Sequence, residues 1–474
     1  MRNDLNTVLR RVADYAAQYR AASPQRPHRP ALSYTEMRER FAAPLPQKGA
    51  ELSSLVDDLV QLAEPGLGAM TGPRFYGWVI GGTHEAGMAA DWLTSTWGQN
   101  AGNQVASPAA AAAEEIAGRW LLELLDLPRE ASVGFVTGAT VANFTGLAAA
   151  RGEVLRRAGW DCNADGLFGA PKVTVLIGEE AHSTIFPALR FLGLGERRIV
   201  SIEADAEGRM RAAAFADAMR KVEGPAIAIL QAGHINSGAF DPFEEIIPLA
   251  REHGAWTHVD GAFGLWARAG KTTRHLAKGI ELADSWGTDG HKWLQTPHDS
   301  GFVIVRDQNA HRQAMSMTAS YLPPSEMERN PADYVPELSR RARGFATWAM
   351  IRALGEEGIA QMVDRHCALA RRLADNLAEE PGIAILNEVV LNQVAVQFGE
   401  DLDAEAADRI NRAVIARIQE DAECFVGGAL WRGRQIMRVS VINAATGEAD
   451  IDRSAEAMRH AYRAIRQAGT ARAI

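Results

Sequence analysis

From residue 131 to residue 305 the chain alternates short apolar runs with longer stretches of helical spacing. The apolar runs are Val133–Val136, Val173–Ile177, Ile199–Ile202, Ala226–Leu230, Trp256–Val259 and Phe302–Val305, each of strand length. Between them, Val141–Ala158, His182–Leu192, Ala212–Val222 and Phe243–His253 read as helices. This alternation predicts an α/β fold with a mostly parallel, doubly wound central sheet. Ligands in such sheets bind beyond the carboxyl ends of the strands. Thr137–Thr140, Asp260 and Lys292 all fall at or just after strand ends.

The flanks carry different patterns. Leu5, Val8, Leu9, Val12, Tyr15, Ala16 and Tyr19 recur at helical spacing, and Ser23–Pro30 is proline-rich enough to end that helix. Glu51–Leu62 reads as a second amphipathic helix, and Ser107-Pro108 opens a third that is rich in alanine. Residues 1–84 are too thin to bury a core alone, which predicts a helical docking segment. Residues 315–345 lack periodicity, as a long loop would. Beyond them Phe345–Leu354, Ile359–Leu377, Ala404–Glu420 and Ile451–Gln467 read as helices, with strands at Ala384–Ile385, Gln393–Phe398 and Ile436–Ile442. The expected division is therefore 1–84, a large α/β domain over 85–345, and a small α+β domain over 346–474.

Composition narrows the function classes. The 474 residues carry a net charge of -9, which gives no basic footprint for nucleic acid. No apolar run approaches the roughly 18 residues needed to span a bilayer, and the N-terminus lacks the apolar core of a secretory signal. Cys162, Cys367 and Cys424 are widely spaced and odd in number, a pattern that fits a reducing compartment. A cytoplasmic protein with a small-molecule ligand is expected, with neither nucleic acid nor membrane as partner.

Four places carry candidate chemistry. Thr137-Gly-Ala-Thr140 opens a helix, where free N–H groups suit a phosphate; taken alone, a glycine turn with a threonine cap is the simpler reading. Asp260 ends a buried strand and needs a cationic partner or hydrogen-bond donors. His182 either stacks on a flat ring or caps its own helix. Lys292, in Asp284-Ser-Trp-Gly-Thr-Asp-Gly-His-Lys-Trp-Leu294, is a nucleophilic amine or a surface charge. His258-x-Asp260 and His291 invite a metal reading, but no HExxH or repeated carboxylate–histidine spacing supports it. Arg340-Arg-Ala-Arg343 is a substrate-carboxylate site or a solvated cluster.

In combination these segments resemble the group II pyridoxal-phosphate-dependent amino acid decarboxylases, the family of aromatic amino acid, glutamate and diaminobutyrate decarboxylases. Thr137–Asn143, His182, His258-Val-Asp260-x-Ala262 and His291-Lys292 stand in the family's order, and the likeness runs from Pro73 to about Arg343 and on to the C-terminus. The resemblance implies fold type I of the aspartate aminotransferase superfamily, pyridoxal 5'-phosphate as cofactor, and a homodimer with its active site at the subunit interface. It gives Lys292 the aldimine with the cofactor, His182 the stacking position, and Asp260 the ring nitrogen. Ala262 would lie beneath the ring, Ala139 and Thr140 at the phosphate, and His291 beside the lysine. Tyr334, or in reserve Tyr321, matches a loop tyrosine that donates a proton. The implied reaction is decarboxylation of an L-amino acid to the amine and CO2. Transamination, carbon–carbon lysis and decarboxylation-dependent oxidative deamination are the neighbouring chemistries, and a non-catalytic relative is the reading from another class.

Three departures from the family pattern stand out. Asp289 occupies a position where relatives offer the phosphate a neutral polar group, so Thr288 or backbone groups would have to serve instead. His234-Ile235 replaces a pair of threonines, which leaves Asn236 to supply the missing contact. Gly81 stands where aromatic decarboxylases carry threonine, so their substrate does not transfer. Phe75, Tyr76 and Trp78 either line an aromatic pocket or pack the N-terminal segment.

Overall fold

Apolar runs that are buried on both sides form the strands of the larger sheet. The computed structural model describes residues 2–317 and 328–471. Its seven-stranded sheet is built from β1 (Ser132–Val136), β2 (Thr174–Gly178), β3 (Ile199–Ile202), β4 (Ala226–Gln231), β5 (Trp256–Asp260), β6 (Ser285–Asp289) and β7 (Gly301–Val305). The order across the sheet is β1-β7-β6-β5-β4-β2-β3, and only β7 runs antiparallel to its neighbours. Val175, Ile177, Ile227 and Ile229 join the core cluster formed with Leu147 and Val154 of the Ala139–Arg157 helix. Their alternates Leu176, Ala228 and Leu230 are buried as well, so both faces of the sheet are covered.

Each predicted strand is present within a residue or so, and β6 is an additional one. Its Ser-Trp-Gly-Thr-Asp sequence carries no apolar run, yet all five residues are buried. Non-local partners make this possible. Ser285 accepts from Trp256 Nε1 at 2.8 Å, Thr288 Oγ1 donates to the Ala262 carbonyl at 3.4 Å, and Trp286 Nε1 donates to the Ile280 carbonyl at 2.9 Å. At Gly287 a Cβ would lie 2.3 Å from Asn143 Oδ1, so only glycine fits beneath the helix.

The chain divides into two compact units, 83–371 with 386–394, and 1–82 with 372–385 and 395–474. The second unit differs from the expected division, because the first 82 residues fold with the C-terminal part rather than as a separate segment. Its four-stranded sheet has the order β10-β11-β9-β8, from β8 (Ile383–Ile385), β9 (Gln393–Phe398), β10 (Gly427–Trp431) and β11 (Arg434–Ser440). The two ends of the sequence meet here. Arg74 Nη1 pairs with Asp450 at 3.1 Å, Tyr76 Oη meets Ser454 Oγ at 3.0 Å, and Phe75 stacks on Phe425 at 4.8 Å. Phe75 and Tyr76 are therefore packing residues, while Trp78 is exposed. The helices are Arg2–Ala22, Leu52–Ala63, Ala404–Asp421 and Glu448–Ala471, with Tyr34–Phe41 added by a Ser33/Glu36 capping box. No described helix is long and apolar enough to cross a membrane.

Candidate active site

The carboxyl ends of β4, β5 and β6 stand side by side, with Gln231 opposite Asp260 and Asp260 opposite Gly287. Gln231 Oε1 accepts the backbone N–H of His182 at 3.0 Å and so anchors the loop after β2. His182 Nδ1 lies 2.7 Å from Thr184 Oγ1, which fixes the ring's orientation. His182, Gln231 and Asp260 line one shallow cleft with Glu180 and Asp241. Burial pushes the Asp241 carboxyl up to about 6, against the pull of the Met210 and Gln231 N–H groups. Asp260 is buried, and its Oδ1 accepts the Ala262 N–H at 3.2 Å. Ala262 itself bridges to the next strand, since its carbonyl accepts the Asp289 N–H at 3.0 Å.

Asp289 closes β6 and gathers the remaining groups. Its Oδ1 accepts the Ala139 N–H at 2.6 Å, at the first turn of the Ala139–Arg157 helix. Its Oδ2 lies 2.9 Å from Lys292 Nζ, and His291 Nε2 is 3.6 Å from Oδ1. His291 Nδ1 accepts the Ser300 N–H at 3.2 Å, so the neutral ring carries its proton on Nε2, facing Asp289. Burial holds His291 below the usual imidazole range; Lys292 adds to this and Asp289 opposes it. The His298 ring stacks on His291 at 4.3 Å. Space is tight here: a Cβ on Gly301 would come 2.5 Å from Gly138 Cα.

Most of the predicted residues thus share one edge of the sheet: His182, Asp260, Ala262, Ala139, His291 and Lys292, with Thr140 exposed in the first helical turn. Several expectations need correction. Thr288 is fully buried with its hydroxyl on the Ala262 carbonyl, so it cannot replace Asp289 toward an anion. Asn236 is buried in the turn after β4, where its N–H donates to His234 Nδ1 at 3.3 Å.

Tyr334 is not brought to this edge. Its carbonyl accepts from His311 Nε2 at 2.9 Å, Arg329 lies over its ring at 4.6 Å, and it lines a cavity with Ser132 and Val133. Those two residues begin β1, whereas Thr137–Thr140 follows the far end of that strand. Tyr321 lies outside the described residues. The arginine cluster is also engaged: Arg340 pairs with Glu114 at 2.8 Å, Arg341 with Asp91 at 2.7 Å, and Arg343 with Asp299 at 3.0 Å.

Two groups escaped the sequence reading. Gln231 is a polar residue directly after an apolar run, the same signal that marked Asp260. The pair of buried His234 Nε2 and half-buried Glu180 Oε2, 3.2 Å apart, spans residues too distant in sequence to be linked by spacing.

Residues 35–398 match the pyridoxal-dependent decarboxylase conserved domain. The chain is 26% identical over 420 residues to an aromatic-L-amino-acid decarboxylase of Bacillus atrophaeus, covering 86% of this chain and 85% of that one. It is 24% identical over 462 residues to a 4-hydroxyphenylacetaldehyde synthase of Rhodiola rosea, covering 95% and 93%. Among solved structures, Oryza sativa TDC with PLP and tryptamine superposes with a TM-score of 0.91 at 23% identity, over 98% of both chains. That likeness shows the fold, a fold type I arrangement.

Proposed function

The chain belongs to the pyridoxal-dependent decarboxylase family, and we propose on that premise which of its residues do the work. It is a pyridoxal 5'-phosphate-dependent amino acid decarboxylase. When bound, the cofactor supplies a protonated pyridine ring that takes up the electron pair left as CO2 departs. The residues present suit it: an amine, a carboxylate with one bonded N–H, an imidazole held at a fixed angle, and helix N–H groups for a phosphate. Asp289, on the Ala139 N–H, brings a carboxylate of the phosphate's own sign to the place where the phosphate would bind.

Lys292 would carry the cofactor, and Asp260, oriented by the Ala262 N–H, would hold the proton on its ring nitrogen. His182, fixed by Gln231 through its backbone and by Thr184 through its side chain, would steady the ring. Ala139 and Thr140 would offer N–H groups to the phosphate at the helix N-terminus. The observation that carries this reading is register: Asp260 and the turn bearing Lys292 end adjacent parallel strands. The exposed Trp92, Leu93 and Trp97 of one helix support burial against a second copy, hence a homodimer. The three thiols, none in a disulfide, support a cytoplasmic setting.

The test is CO2 release from a panel of L-amino acids, headed by the aromatic ones for which relatives are named. The wild type is expected to yield amine plus CO2. Lys292→Ala is expected to lose both CO2 release and the visible absorption of bound cofactor. A wild type that binds the cofactor but releases CO2 from no amino acid would overturn the reading. A second outcome has its own support, because a Rhodiola rosea relative is an aldehyde synthase. Aldehyde plus ammonia in place of amine would assign decarboxylation-dependent oxidative deamination.

A further inference from the structure

Asp289 is held more firmly than an incidental carboxylate at a binding turn would be. Its N–H donates to the Ala262 carbonyl, and its own carbonyl accepts from Trp266 Nε1 at 2.9 Å, so the backbone is fixed on both sides. The side chain is buried, with Oδ1 on the Ala139 N–H and Oδ2 on Lys292 Nζ. Ala139 begins a 19-residue helix whose first N–H groups have no partner inside the helix. An anion is favoured there by the helix dipole as well as by the hydrogen bond. The carboxylate also fills the available room: a Cβ on Gly138 would lie 3.3 Å from Oδ1 and 3.2 Å from His291 Cε1.

These contacts are the ones a phosphate would seek at the same place. We propose that Asp289 is an internal stand-in for the cofactor's phosphate, capping the Ala139 helix and holding Lys292 until a phosphate takes the Ala139 N–H from it. The inference rests on the cofactor reading above and adds a competitor to it. Two anions cannot share one N–H, because at contact distance in a buried place like charges repel strongly. On loading, the carboxylate keeps the His291 Nε2–H, 3.6 Å from Oδ1, as an alternative donor. The phosphate's gain in binding is therefore reduced by what Asp289 gives up. The chain should favour pyridoxal phosphate over pyridoxal by less than the same site would with a neutral residue at 289.

The test uses the cofactor-free full chain, with pyridoxal 5'-phosphate and pyridoxal as the two probes in equilibrium dialysis. For wild type and Asp289→Asn, the ratio of the two dissociation constants is compared after circular dichroism has shown that both are folded. The substitution is expected to raise the preference for the phosphorylated probe about tenfold or more, chiefly by tightening pyridoxal phosphate. A smaller rise, no change or a fall would overturn the proposal, since a merely structural role for Asp289 would weaken both probes together. If Asp289→Asn does not fold, Asp289→Ser is judged by the same ratio. A wild type that binds neither probe overturns the cofactor reading and takes this inference with it; one that binds both with an unshifted ratio overturns this inference alone.

Discussion

Strands β5 and β6 carry two groups of buried polar side chains, one in the sheet's interior and one at its carboxyl edge. In the interior, Trp256 Nε1–H donates to Ser285 Oγ at 2.8 Å, which frees the Ser285 hydroxyl for His258 Nδ1 at 2.8 Å. His258 Nε2–H then donates to Asn143 Oδ1 at 3.0 Å. Burial pushes His258 down to about 3, so a neutral ring with both nitrogens engaged completes the chain. Only the Asn143 amide nitrogen is left without a partner. At the edge, by contrast, the same strands end in Asp260 and Asp289, whose partners come from a loop, a helix and a lysine. A polar residue inside a sheet is structural where donors and acceptors match one for one. It is available for chemistry where a charge is shared among segments and the strand ends. His258 and Asp260 lie two residues apart and fall on opposite sides of that line.

The comparison makes its sharpest demand on Asp260. Asp260→Ala should lower kcat on the order of 10²–10³-fold, the scale of losing one electrostatic stabiliser, with little change in the unfolding midpoint. Activity within tenfold of wild type would place Asp260 with the interior group. His258→Leu should do the reverse. It strands the Ser285 hydroxyl and the Asn143 carbonyl and should cost about 1–3 kcal/mol for each unpaired group, with kcat nearly unchanged.

The pH dependence of that variant supplies a second check. In the fold His258 titrates at about 3 rather than its ordinary 6.5, so the unfolded chain binds the extra proton between those values. Stability from this residue is complete above 6.5 and is lost as the pH falls toward 3. Urea midpoints measured across that window should fall less steeply for His258→Leu; parallel curves would mean that His258 is already charged in the native state. The smallest effect belongs to Tyr334→Phe. Its ring keeps Arg329 and His311 as neighbours, and kcat should change less than about twofold, whereas loss of a proton donor would cost 10²–10⁴-fold. A loss on that larger scale would bring Tyr334 back into the reaction.

What the sequence made legible followed from which contacts were local. Apolar runs buried on both faces announced six strands, and polar residues directly after them marked Asp260 and Thr137–Thr140 as candidates. β6 stayed hidden because Ser285, Gly287 and Thr288 are explained by Trp256, Asn143 and Ala262, none of them a neighbour in sequence. Asp289 looked misplaced for the same reason, since Ala139 lies far upstream. Tyr334 was matched by resemblance alone, because aperiodic residues give no register, and the contacts with Arg329 and His311 place it near the start of β1 in this chain. The first 82 residues looked dependent on something else, but their link to the C-terminal part runs through pairs such as Arg74 with Asp450 that spacing cannot reveal.

That last link sets a schedule for synthesis. The first 82 residues leave the ribosome long before residues 372–385 and 395–474, with which they form one compact unit. At roughly 5–20 residues per second, the N-terminal helices wait some 15–60 s for the strands and helices they pack against. Leu5, Leu9, Leu52, Leu55 and Leu59 remain partly exposed even in the finished fold. During that interval the nascent chain presents an amphipathic helical segment without its partner, its apolar face open to whatever it meets first.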